Sequence, residues 1–150
     1  NDPAACYPSA VLALGGTVQT NRREIAADAF FTGMFSTALA DDELITAVRF
    51  PIPKRAAYMK FRQPASRFAL VGVFLAQTDQ GVRVAVTGAA NCVFRHTALE
   101  DALNKSFTPQ AAAAVTIDAD NLNSDIHASK AYRANLISVQ TQRAVAKALA

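Results

Sequence analysis

Any covalent or metal chemistry in this 150-residue sequence must start from its cysteines, histidines and carboxylates, and these stand far apart. Cys6 and Cys92 make no CxxC pair. Cys92 and His96, four residues on, offer two ligands where a metal centre needs three or four. Both thiols read as small, half-buried side chains of a reducing compartment. His96 and His127 are the two histidines, and neither sits in a nucleophile motif, so no Ser-His-Asp or Cys-His hydrolase can be assembled. Surface or capping roles suit them better. Asp41-Asp42-Glu43 would send its carboxylates to opposite faces of a strand, which suits a solvated turn rather than a cation site. Gly15-Gly16-Thr17 has the composition of a phosphate-cradling loop. It follows a helix and enters a strand, however, so no helix N-terminus aims amides at an anion there, and Gly15 reads as a helix stop.

The elements that would position these residues can be read from hydrophobic periodicity and turn signals. Asp2 as N-cap and Pro3 at the first position predict a short helix over 4–14, disturbed near Pro8. Thr17–Thr20 and Arg23–Ala26 predict two short strands around Asn21-Arg22, followed by a helical turn over 28–31, a loop through Gly33 and a strand over 44–50. Pro51-Ile52-Pro53-Lys54-Arg55 then holds the chain extended and removes two ladder donors, which marks a domain boundary, residues 1–50 before it and 51–150 after it.

Beyond the boundary, Ala57, Met59 and Phe61 alternate with Tyr58, Lys60 and Arg62, the period of a half-buried strand. Phe68 to Gln77 is a continuous apolar run suited to a central strand. Thr78-Asp79-Gln80-Gly81 turns the chain into a third strand carrying Val82, Val84 and Val86. Three helices follow. A capping box at Thr97 and Glu100 opens the first, Thr108-Pro109 the second, and Ser129 the third. The last has a predicted stripe of Tyr132, Leu136, Val139 and Ala146, with Lys130, Arg133 and Arg143 turned to solvent or partners. The fold class expected is α+β, a three-stranded antiparallel sheet backed by a helical bundle.

Composition narrows the function without naming it. The chain is 51% hydrophobic and 18% charged, enough to bury a core. Its net charge of +3 comes from scattered Lys and Arg, with no basic stripe interleaved with aromatics, so nucleic acid is not expected as a partner. The longest apolar run, Phe68 to Ala76, is far short of the ~20 residues that span a bilayer, so membrane insertion is not expected either. The start has no basic segment followed by an apolar stretch, so no signal peptide is expected, and it begins at Asn1 rather than Met, which predicts either that something was removed or that the chain starts inside a longer protein.

Several runs resemble one family. Asn1-Asp2-Pro3-Ala4-Ala5, Ala10-Val11-Leu12-Ala13-Leu14-Gly15, Phe30-Phe31-Thr32-Gly33, Glu43-Leu44-Ile45-Thr46-Ala47-Val48 and Phe50-Pro51-Ile52-Pro53 look like the later half of the FAD-binding domain in medium subunits of molybdenum hydroxylases. These are enzymes similar to aerobic carbon-monoxide dehydrogenase and xanthine dehydrogenase. Tyr58-Met59-Lys60-Phe61-Arg62, Ser66-Arg67-Phe68-Ala69 and Tyr132-Arg133-Ala134 resemble that family's C-terminal domain.

The resemblance implies a cytoplasmic oxidoreductase subunit that carries FAD between a molybdenum-cofactor large subunit and an iron–sulfur small subunit. Electrons would pass from the clusters through FAD to an acceptor. It implies that residues 1–50 are the end of the FAD-binding domain, with the glycine-rich loops that grip the pyrophosphate lying upstream, so that the chain alone retains no FAD. It also implies four cofactor-binding positions. Cys6 stands where many relatives have an Asp, and Ile45 where an apolar residue rests against the flavin. Lys60 stands where a lysine reaches toward the ring, and Phe68 where some relatives shield it with a Tyr. Read without the resemblance, Ile45 is an ordinary strand residue and Lys60 a solvated one, and the domain from Pro51 onward could instead be an autonomous, non-catalytic docking module.

Overall fold

The computed structural model describes residues 1–150. Helix α1 (Cys6–Ala13) starts two residues later than its sequence signals suggest. Asp2 does not cap it. The Asp2 carboxylate accepts the Ala4 amide at 2.8 Å and closes a separate turn, while the helix opens at Ala5 without a capping side chain. Pro8 falls within the first turn, where no intrahelical N–H is needed, and is buried without breaking the helix. Gly15 ends α1 at φ +64°. The Gly16 amide reaches back to the Val11 carbonyl (2.9 Å) and the Gly15 amide to that of Leu12 (3.2 Å), which satisfies two orphan carbonyls of the last turn.

Strands β1 (Thr17–Thr20) and β2 (Glu24–Ala26) form the expected hairpin, and β5 (Ile45–Arg49) pairs with the other edge of β1, all antiparallel. Between β2 and β5 lie helix α2 (Ala27–Phe30), which is the predicted helical turn begun one residue earlier, and a small hairpin of β3 (Phe31–Gly33) and β4 (Ser36–Thr37) in place of the expected loop. Val18, Ile25 and Phe30 make a small core of their own.

The second sheet is antiparallel in the order β6 (Arg55–Arg62), β7 (Ala69–Thr78), β8 (Gly81–Thr87) and β9 (Phe94–Arg95). The predicted three-stranded meander is therefore present, with a two-residue fourth strand added at its edge. Strand β7 is apolar along both faces because both are covered. Val71, Val73 and Leu75 join Val82, Val84 and Val86 in the main core, under the helices. Phe74 and Ala85 point the other way, against Leu12 and Ala13 of α1. The sheet is thus sandwiched between the N-terminal segment and the C-terminal helices.

Those helices are α3 (Thr97–Lys105), α4 (Pro109–Ala113) and α5 (Lys130–Leu149). Thr108 and Ser129 cap α4 and α5 as their sequence signals predict. The capping box at Thr97 does not form. His96 is the cap, its Nδ1 accepting from the Leu99 amide, and Glu100 is turned inward instead, where it accepts from the Val84 amide at 2.9 Å and pairs with Arg95. The predicted α5 stripe holds only in part. Leu136 is buried as expected and Val139 is half-buried, but Tyr132 and Ala146 are exposed, and the buried face also carries Arg133, Ala134, Ile137, Gln140 and Ala144. Arg133, expected at the surface, is 3% exposed and donates to the carbonyls of Leu70 and Gly88, both at 2.8 Å, and to the Asp125 carboxylate. No helix is long and apolar enough to cross a membrane.

Candidate functional site

The seam between the N-terminal segment and the outer face of the second sheet gathers the polar groups that no core requires. Backbone bonds hold it shut. The Thr87 hydroxyl lies 2.8 Å from the carbonyls of both Pro3 and Ala5 and shares its single proton between them, and the Gly88 amide donates to Pro3 at 2.7 Å. Gly88 sits at φ +81°, and a methyl group there would run into the carbonyls of Ala69 and Leu70, so the position admits only glycine. The Asn1 amide group donates to the carbonyls of Gly33 and Ser36, both at 2.6 Å, which ties the chain start to the β3–β4 hairpin.

These restraints set Cys6, the first residue of α1, over the middle of β6. Lys60 projects from the same face of β6 and its Nζ donates to Cys6 Sγ at 3.3 Å. Both side chains are half-buried, and Lys60 has no carboxylate partner. Tyr58, two residues back on that face, lies alongside. Its hydroxyl is buried without a hydrogen-bond partner, and burial, reinforced by Cys6, pushes its pKa well above the ordinary phenol value. The ring stacks on Phe74, and its hydroxyl occupies space that a side chain at Gly72 would fill; a Cβ there would fall 2.5 Å from the oxygen. Tyr58 and Gly72 escaped the sequence reading, although a glycine inside an apolar strand signals close approach of another group.

The other two predicted positions lie to either side of residues 1–5. Ile45 is half exposed and lines a hollow of about 350 Å³ with Asn1, Tyr7, Pro8 and Val48. Phe68, 54% exposed, lines another of about 360 Å³ with Pro3, Met34, Phe35 and His127. Cys6 and Lys60 are therefore in contact, whereas Ile45 and Phe68 flank that contact from separate hollows. Arg67 and Phe35 both adopt left-handed backbone, at φ +66° and +54°, on the loops beside the Phe68 hollow.

The expected acidic turn at 41–43 is partly a different feature. Asp41 and Asp42 are exposed, but Glu43 is buried, and it accepts from the Arg23 guanidinium, the Ala40 amide and the Thr20 hydroxyl. These bonds, Arg23 first, hold its carboxyl down at about 2. A second ion-pair group fastens α1 and α2 to the second sheet. Arg83 donates to the Leu12 carbonyl at the end of α1 and to Asp28 at 2.7 Å, and Arg95 bridges Asp28 and Glu100. Burial opposes ionisation of Asp28, but Arg83 and Arg95 outweigh it and lower its pKa. No three metal-ligating side chains converge.

Proteins similar to this chain in sequence and fold point in one direction. Residues 1–53 match the family described as the FAD binding domain in molybdopterin dehydrogenase. Over 98% of its length the chain is 37% identical to the nicotine 6-hydroxylase medium subunit of Paenarthrobacter nicotinovorans, of which it covers 57%. Carbon-monoxide dehydrogenase from Oligotropha carboxidovorans superposes with a TM-score of 0.84 at 24% identity, over 98% of this chain and 57% of that one. Quinoline 2-oxidoreductase from Pseudomonas putida 86 does so with a TM-score of 0.80 at 26% identity, over 98% and 56%. The chain spans a little over half the length of each of these relatives.

Proposed function

The chain belongs to the family of FAD-binding medium subunits of molybdenum hydroxylases, and from that membership we propose that it forms one wall of the flavin site in an electron-transferring oxidoreductase. When bound, FAD takes up electrons and releases them to an external acceptor. In this reading they originate at the molybdenum cofactor of a large subunit and arrive through the iron–sulfur clusters of a small one. The exposed apolar residues Leu44, Phe50 and Ile52 are available for contacts with those partners.

The residues of the seam fit such a cofactor in chemical type. Lys60 is an ammonium with no carboxylate to neutralise it, set in a half-buried position where a nearby charge acts more strongly than in water. That observation carries the proposal. Ile45 and Phe68 supply uncovered apolar surface on either side, and Phe68 offers shielding without a hydroxyl. Cys6, with its thiol against Lys60, keeps the ammonium in place but contributes no carboxylate acceptor. The proposed division is a FAD-domain portion up to residue 50 and a C-terminal domain from residue 51. The family match that ends at residue 53 and the Pro51–Pro53 segment support it.

In the intact flavoprotein, Lys60→Met should lower the flavin midpoint potential while FAD content is retained, because reduction adds negative charge that the ammonium would stabilise. Potentiometric titration followed by flavin absorbance reads this directly. An unchanged potential, together with unchanged flavin spectra in Ile45→Asp and Phe68→Ser, would remove the seam from the cofactor site.

A further inference from the structure

Cys6 and Lys60 are placed for a reaction with each other, and we propose that the pair is a site of reversible oxidative cross-linking, closed by a hydroperoxide into a sulfur–nitrogen bond. The two reactive atoms stand 3.3 Å apart with nothing between them. Their backbones are held independently, Cys6 by the Thr87 and Gly88 bonds to Pro3 and Ala5, and Lys60 by the ladder in which it pairs with Gly72. Both side chains are half-buried, so a small oxidant can reach them. Tyr58, whose hydroxyl has no partner of its own, walls one side. No carboxylate competes for the amine. Cys92 provides an internal contrast, since its sulfur lies near the Asn1 side chain and has no lysine within bonding reach.

The chemistry balances in two steps. The Cys6 sulfur attacks one oxygen of hydrogen peroxide. A sulfur–oxygen bond forms, the oxygen–oxygen bond breaks, and water leaves with the thiol proton, so that sulfur loses two electrons and peroxide gains them. The Lys60 ammonium then passes one proton to water, and the freed amine nitrogen attacks the sulfenic sulfur. A sulfur–nitrogen bond forms, the sulfur–oxygen bond breaks, and the hydroxyl departs as water with a proton from nitrogen, with no further change in oxidation state. Capture of a sulfenic acid by a backbone nitrogen is an established branch of cysteine oxidation, and the Lys60 amine is a stronger nucleophile in the same role. Two equivalents of an external thiol restore Cys6 and Lys60 and leave as a disulfide. The bond would tether α1 to β6 and replace the Lys60 cation with a neutral link. None of this rests on the flavin assignment.

The test is peptide mapping of the intact protein that carries this chain, treated with hydrogen peroxide, alkylated with N-ethylmaleimide and digested with trypsin. The expected product joins the peptide ending at Arg22 to Ala56–Arg62, at their summed mass less two hydrogens, with cleavage after Lys60 lost. It should vanish on dithiothreitol treatment, persist in Cys92→Ser, and be absent from Cys6→Ser and from Lys60→Arg. In Lys60→Arg the peroxide should still consume the Cys6 thiol, which separates loss of the amine from loss of the fold. Cys6 found only as sulfinate or as a mixed disulfide, with Lys60 cleaved normally in the wild type, overturns the proposal. So does a Cys6 thiol that remains fully alkylatable after peroxide.

Discussion

Glu43 shows how far a single side chain can depart from the neighbours it is grouped with. Asp41 and Asp42 stay in solvent, whereas the next residue turns inward to meet Arg23, Thr20 and the Ala40 amide. A carboxyl whose folded pKa is depressed contributes stability that is fully present above the unfolded value and is lost as pH falls through the folded one. With a folded pKa of about 2, that loss runs from roughly pH 5, just above the ordinary glutamate value, down to about pH 2. Glu43→Gln should therefore flatten the acid limb of a stability–pH curve measured by urea unfolding. A variant that loses stability below pH 5 as steeply as the wild type would show that the carboxylate is not the titrating group. Arg133 makes the complementary point, because a side chain of a type usually left at the surface here holds two carbonyls at the end of the main core.

At the scale of elements, local chemistry decides where chains start and stop, and it does so most reliably where the signal is self-contained. Ser129 accepts the Tyr132 amide at 3.2 Å at the start of the 20-residue α5. Ser129→Ala should cost about 1 kcal/mol in chemical denaturation, with no change in the m-value. A loss indistinguishable from zero would mean that burial of the α5 face alone sets that helix boundary. The Thr108 cap and the Gly15 stop behave as their sequences imply, for the same reason: the partner groups lie within five residues. The box at Thr97 fails because Glu100 has a stronger option across space, the Val84 amide and the Arg95 guanidinium, than the exposed backbone N–H it was expected to satisfy.

The whole molecule is organised by one sheet with two covered faces. Helices α3–α5 bury one side, and α1 with the N-terminal segment closes the other through Thr87, Gly88, Arg83 and Arg95. The candidate site is a product of that closure, since Cys6 and Lys60 are 54 residues apart in the chain. No glycine-rich turn opens any helix here, and α1 begins without a cap that could be exchanged for a phosphate. This 150-residue chain, purified alone, is accordingly expected to carry FAD at well below one equivalent, measured by flavin fluorescence after denaturation. Stoichiometric yellow flavin would mean that the seam itself suffices to grip the cofactor.

Read alone, the sequence determined the α+β class, the order of the three long strands and three helices beyond Pro51, the caps at Thr108 and Ser129 and the stop at Gly15. Each of these rests on periodicity or on hydrogen bonds between near neighbours. The residues of the family resemblance also picked out Cys6 and Lys60, one by one. Tertiary structure alone decided that their side chains meet, that Tyr58 and Gly72 share the space beside them, that Glu43 and Arg133 are buried, and that β9 and the β3–β4 hairpin exist. The physical reason is the same throughout. A partner brought in from dozens of residues away leaves no mark in local spacing, and two-residue strands are too short to carry a period.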